Sequence, residues 1–258
     1  MHYLNENRMR GIEGEVRSMC KWATYCLLLI LTLAVAARAD STRKDDVRRI
    51  EESAQVFQEI MDTPDRAIPQ DLLGSAKCIA IIPAEMKFAF LVGGNYGKGV
   101  VTCRTEKGWS APLFLMVGGG SFGFQIGGSS TDLILVFRGR RGLQKLLSDK
   151  FQIGGDATAA AGPVGRHAAA GTDIELHAEI LTYSRSRGVF AGISLNGAVM
   201  QPDESGNIAL YGREANKEDI LNGKVAMPAP AAPLAEAIAR GTHTRIVTSE
   251  HPPNAKPI

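Results

Sequence analysis

The sequence predicts an α+β fold: a single domain with a many-stranded, mostly antiparallel, twisted and barrel-like sheet, an N-terminal amphipathic helix and few short helices. Two observations predict it. Between residues 77 and 212 short apolar runs follow one another, separated by glycine-rich turns, which is the pattern of successive strands. Helical patterns are few and short, so the regular strand-helix alternation of a doubly wound sheet is missing.

Taken in chain order, residues 1–39 read as an N-terminal extension plus a secretory leader. Lys21 provides a positive start, Ala23 to Ala36 an apolar run, and Ala37-Arg38-Ala39 a small-residue cleavage site. The apolar run is short for a membrane span of about 20 residues. In KDDVRRIEESAQVFQEIM, residues 44–61, Val47, Ile50, Ala54, Phe57 and Ile60 fall at three- and four-residue spacing, the signature of an amphipathic helix. Asp62-Thr63-Pro64 stops it, because proline disfavours helix at the residue before it. A second short helix opens at Pro69.

Strands follow: CIAIIP, KFAFLVGG, GKGVVTCRT, WSAPLFLMV and SFGFQIGG. DLILVF is apolar over consecutive positions, so both of its faces should be covered. RRGLQKLL reads as a short helix, IELHAEILTYS and GVFAGISLNGAVM as paired strands, IALYG as another strand, and NKEDILNG as a last helix. The domain is expected over residues 40–227. Residues 228–258 read as a Pro/Ala-rich linker and a mobile tail.

Charge narrows the function classes. The chain carries 29 Lys+Arg and 27 Asp+Glu, and residues 1–39 hold five of the basic and three of the acidic ones. The remainder therefore balances at 24 of each, which gives no support to nucleic-acid binding. Any attraction to an anionic membrane must come from a local patch. Beyond the leader the cysteines are Cys78 and Cys103, which in an exported chain read either as one disulfide or as two buried thiols.

The stretch MVGGGSFGFQIGG, residues 116–128, matches two catalytic patterns: a G-x-S-x-G nucleophile elbow at Ser121 and a G-x-G-x-x-G dinucleotide turn. Both need a helix next, whereas Phe122, Phe124 and Ile126 alternate with period two. GGNYGKG, Gly93 to Gly99, lacks the spacing of a phosphate loop. No nucleotide and no cofactor is expected. Asp173, Glu175, His177 and Glu179 alternate as on the solvated face of a strand, and no metal site is expected from them. Basic residues gather at Arg138, Arg140, Arg141 and Lys145, and recur at Lys77, Lys87, Lys98, Arg104 and Lys107.

The ordered series AKCIAIIP, VGGNYGKGVV, WSAP, GGGSFGFQIGG, GGDATAAAGPVGR, ILTYSRSRGVFAGISLNG and LYG resembles the SYLF domain family, which includes a yeast actin-binding domain of cortical patches. The resemblance spans roughly residues 45–225. It implies a non-enzymatic module that binds phospholipids, phosphoinositides in eukaryotic members, through an amphipathic segment and basic residues. Carried onto this chain, the lipid-contacting residues would be Lys44, Val47, Arg48, Arg49, Ile50 and Phe57, with Lys77 and Lys87. The helix over 44–61 either dips its apolar face into a membrane or packs on the sheet, two outcomes that amphipathicity alone does not distinguish. The leader points to a bacterial-type exported member, periplasmic or associated with the cell envelope, for which actin is not an expected partner. The expected function is thus an exported protein that associates with anionic phospholipid. The alternatives are a secreted serine hydrolase using Ser121, or an envelope scaffold without ligand.

Overall fold

In the computed structural model the described residues are 43–62, 68–90, 92–121, 130–148, 150–165, 177–186, 189–213 and 215–242. The chain divides into two compact units at Lys44–Asp45. Of the first, only the opening residues of a helix are described, so the architecture below is that of the second.

Ten strands form one sheet: β1 (Cys78–Phe90), β2 (Val92–Thr105), β3 (Gly108–Trp109), β4 (Leu113–Ser121), β5 (Ser130–Phe137), β6 (Phe151–Gln152), β7 (Ala159–Ala161), β8 (Ile180–Ser186), β9 (Val189–Gly192) and β10 (Val199–Pro202). Its order is β6-β10-β4-β2-β1-β5-β8-β7, with β3 added to β2 and β9 to β8, and it curls into a half-barrel. Among the named strands only β7 and β8 pair in parallel. The α+β expectation holds.

Side-chain alternation explains why so many runs are apolar throughout. Ile79 and Ile81 of β1, Ile134 and Val136 of β5, and Leu181 and Tyr183 of β8 face one core; Cys78, Ala80, Ile82, Leu133, Leu135 and Phe137 face another. The first core is roofed by helix α1 (residues 43–61), by α2 (Gln70–Ser75) and by a helix near the C-terminus. The second is closed by Leu146 of α3 (Arg140–Leu146), by Phe151 and Ile153, and by Ile220 and Leu221. Pro83 sits where β1 shifts register against both neighbours, as expected of a residue that cannot donate to a ladder.

Three expectations fail, each for a physical reason. IALYG is helical, in α4 (Glu204–Tyr211). Asp203 caps that helix by accepting from the Gly206 N–H at 3.4 Å. Asn207 then grips β4 as a neighbouring strand would: its Oδ1 accepts from the Phe114 N–H at 2.8 Å and its Nδ2 donates to the Phe114 carbonyl at 3.0 Å. Next, the strand expected over IELHAEILTYS begins only at Ile180, and His177 lies in a helical residue before it. Asp173 and Glu175 fall outside the described residues.

The third failure is the domain boundary at 227. Ala229–Ala231 forms a 3-10 turn and Ala232–Gly241 forms α6, whose Leu234, Ala237 and Ile238 are buried in the first core. Prolines in PAPAAPLAEAIAR suggest a linker, but Pro233 occupies the first turn, where its missing N–H has no cost. The spacing 234, 237, 238, 241 is that of a core-facing helix. α5 (Lys217–Leu221) appears as expected, capped by Asn216.

Candidate functional site

Helix α1 meets the sheet through the residues expected to meet a membrane. Ile50 and Phe57 are 0% exposed, and Val47 is half-buried. Its outward cations are locally neutralised: Arg48 pairs with Asp45 at 3.1 Å and with Glu52 at 3.6 Å. Lys44 is exposed in the first turn. Arg49 points inward to a buried network instead. Its Nη2 is 3.1 Å from Asp46, its Nη1 is 3.2 Å from Asp203, and its guanidinium lies 5.1 Å over the Phe114 ring. Lys98 donates to the same Asp203 oxygen at 2.8 Å.

Burial alone would raise the Asp203 carboxyl, but hydrogen bonds from Lys98, Ser205 and the Gly206 N–H outweigh it and hold the group below the usual range. Asp46 is shifted the other way: burial dominates over Arg49, Asp203 adds like charge, and one of its oxygens, Oδ2, has no hydrogen-bond partner. At the far end of α1, Glu59 pairs with Arg185, which also holds Asp132 at 2.7 Å. The helix is therefore tied to the sheet at both ends and packed between them. This is a structural role for Arg49, Ile50 and Phe57, three of the eight residues that the resemblance would place in lipid contact, whereas Lys44, Arg48 and Lys77 stay exposed.

The remaining assigned cations are separated by the strands. Lys87 lies on β1 opposite Asn95, toward the tip of the β1–β2 hairpin. Lys77 lies at the other end, immediately before β1, where the structure opens a groove of about 650 Å³ lined by Lys77, Arg104, Thr105, Glu106, Lys107, Asn222 and Gly223. Lys77 and Lys107 are exposed. Arg104 is fixed: its Nε donates to the Ala76 carbonyl and its Nη2 to the Leu73 carbonyl, both at 3.1 Å, with the guanidinium 4.9 Å over the Trp109 ring. Burial pulls its pKa below the ordinary value, yet an arginine stays charged at biological pH.

Thr105 shapes the turn that carries Lys107. Its Oγ1 donates to the Gly108 carbonyl at 3.1 Å and accepts from the Lys107 N–H at 3.3 Å. Behind the groove, β1 and β2 are clamped by the Arg104 N–H to Lys77 carbonyl bond of 2.7 Å and by a disulfide between Cys78 and Cys103, which are direct cross-strand partners. Three cations and one carboxylate, Glu106, thus line an open concavity. That arrangement can bind an oxyanion. The β1–β2 register and the turn from α5 make it; neither leaves a mark on local periodicity. The basic recurrence at 77, 104 and 107 was the available signal.

The two glycine-rich motifs are neighbours in one ladder. Gly93 pairs with Ser121, Gly94 with Gly120, Asn95 with Gly119 and Tyr96 with Gly118. Ser121 is a strand residue at the end of β4; residues 122–129, including Phe122, Phe124 and Ile126, lie outside the described residues. Among the described residues, no group of three or more His, Cys, Asp and Glu could hold a metal ion, and no helix is long and apolar enough to cross a membrane.

A curled, mostly antiparallel sheet with helices on both faces and a cationic groove at one end defines an α+β half-barrel domain with a candidate oxyanion site. Residues 118–241 match the Ysc84 family profile, described as "Las17-binding protein actin regulator". An SH3 domain-containing protein of Schizosaccharomyces pombe is 36% identical over 171 residues, 65% of this chain and 40% of that protein. SH3 domain-containing YSC84-like protein 1 of Homo sapiens is 32% identical over 202 residues, 77% of this chain and 59% of that protein. Protein YSC84 of Saccharomyces cerevisiae is 32% identical over 174 residues, 66% and 37% of the two chains. The chain belongs to the Ysc84, or SYLF, family. It spans between 37% and 59% of the length of these relatives.

Proposed function

We propose that this protein is an exported, non-enzymatic domain that binds anionic phospholipid headgroups, and that the Lys77–Arg104–Lys107 groove is where it does so. The groove carries the reading. Beyond residue 39 the charges balance overall, and the groove gathers three of the cations on elements held rigid by a disulfide and a strand ladder. Each cation near an anionic surface contributes about 1 kcal/mol, so the patch supports reversible, salt-sensitive association rather than permanent anchoring. Export is supported by the leader pattern and by a cystine, which suits an oxidising compartment. Helix α1 stays docked in this reading and serves the fold.

Cosedimentation of the purified protein with phosphatidylcholine vesicles, with and without phosphatidylglycerol, tests it. Binding should require the anionic lipid and fall as salt rises; equal binding to neutral vesicles contradicts it. The family's description as a Las17-binding actin regulator favours a second reading, an actin regulator. Cosedimentation with filamentous actin in place of vesicles would establish that one. A fluorophosphonate probe should leave the protein unlabelled; labelling lost in Ser121→Ala would establish a serine hydrolase.

A further inference from the structure

The groove has a second wall that comes from the opposite face of the sheet. α5 is anchored in the second core by Ile220 and Leu221, 0% and 3% exposed, and its last turn is held by backbone bonds: Asn222 N–H to Glu218 O at 2.9 Å, Gly223 N–H to Ile220 O at 3.1 Å and Lys224 N–H to Asp219 O at 2.9 Å. Asn222 and Gly223 then line the groove across from the turn that carries Lys107. Lys224, next in the chain, is paired with Asp219 at 2.9 Å.

Two features of this wall suit a bound anion. Asn222 is exposed, lines the groove, and its side chain makes no hydrogen bond among the described residues. Gly223 has φ +73°, which favours glycine, and a Cβ there would lie 2.9 Å from Thr105 Cγ2 and 3.4 Å from Thr105 Cβ. Wall and turn therefore touch at backbone-to-methyl distance, and any side chain at 223 would displace Thr105, whose hydroxyl shapes the Lys107 turn.

We infer that the Asn222–Gly223 turn belongs to the oxyanion site: Asn222 Nδ2 donates to a phosphate-class oxygen, and Gly223 positions Lys107 by letting Thr105 approach. This rests on the groove being the anion site proposed above. Asn222 is the binding residue and Gly223 a positioning residue. The same chemistry would take a lipid headgroup or free phosphate.

The full-length protein is titrated with inorganic phosphate, followed by NMR chemical shifts, and separately with phosphatidylglycerol/phosphatidylcholine vesicles. Asn222→Ala should weaken binding about three- to tenfold, the worth of one hydrogen bond. Gly223→Ala should weaken it comparably. Adding Thr105→Ser, which keeps the hydroxyl and removes the methyl that the new Cβ would meet, should restore the affinity fully while the melting temperature recovers only in part, because the φ of +73° still penalises alanine at 223. A purely structural role would instead move affinity and melting temperature together, and would overturn the positioning claim. Unchanged affinity in Asn222→Ala and Gly223→Ala, with binding lost in Lys77→Glu, overturns the inference and leaves the groove standing. Unchanged affinity in Lys77→Glu overturns both. Phosphate binding with the expected Asn222 effect but no vesicle binding supports the wall, assigns it to soluble phosphate, and contradicts the membrane reading.

Discussion

Replacing Asp203 by alanine removes the carboxylate on which β2, α1 and α4 converge. The side chain of Asp203 is 2% exposed, that of Arg49 12% and that of Lys98 36%. Truncating one partner of a buried ion pair costs about 3–5 kcal/mol, because the other charge stays buried. Two features reduce that here: Arg49 keeps Asp46, and Lys98 is exposed enough to regain water. The network loss is then about 2–3 kcal/mol. The missing cap on α4 adds about 1 kcal/mol, for roughly 3–4 kcal/mol in all. Asp203→Asn keeps an oxygen for the Gly206 N–H and should lose only the network share. Urea unfolding of the three proteins reads both numbers from the midpoints at constant slope. A cost below about 1 kcal/mol for Asp203→Ala, the range of an exposed pair, would refute the claim that α1 is latched through a buried network.

Four further outcomes follow from the same contacts. Phe57→Ala should cost about 3–5 kcal/mol in the same unfolding assay, since the ring is fully buried under α6. A change under 1 kcal/mol would mean that α1 is not part of the core. Replacing both Cys78 and Cys103 by alanine should cost about 3.5 kcal/mol by the loop-closure estimate for cysteines 25 residues apart, with a matching loss in the wild type on reduction. Asp203 contributes to the acid limb, because its depressed pKa gives stability that is full above the ordinary carboxylate range and lost as pH falls through the folded value. Glu59, lowered chiefly by its hydrogen bond with Arg185, adds to the same limb, so Asp203→Asn should reduce it in pH-dependent melts without abolishing it. Asp46 has the opposite sign: its raised pKa favours the protonated native state, so its contribution fades as pH rises from about 4 through the folded value, and Asp46→Asn should remove that decline.

What the sequence reveals and what it hides divide along the range of the contacts. α1 is legible because Ile50, Ala54 and Phe57 repeat within one helix. β5 is legible because only a strand covered on both faces is apolar at Leu133 through Phe137. The α4 helix is hidden, because what decides it is Asn207 bonding Phe114, 93 residues away. α6 is hidden by prolines whose meaning depends on position in the first turn. The inward turn of Arg49 is hidden too, since its partner Asp203 is 154 residues distant and the RR pair at 48 and 49 looks uniform along the chain. The groove joins residues 77, 104–107 and 222–223, which only the β1–β2 register and the packing of α5 bring together.

The central claim is that an electrostatic groove, with α1 docked, attracts the anionic surface. Flotation of wild-type protein and of Lys77→Glu/Lys107→Glu with phosphatidylglycerol-containing vesicles at low salt tests it most directly, with urea midpoints confirming that both are equally folded. The wild type should float with the vesicles and the charge-reversed protein should remain in the lower fraction. Equal flotation of the two proteins would contradict the account and move the membrane contact elsewhere on the chain.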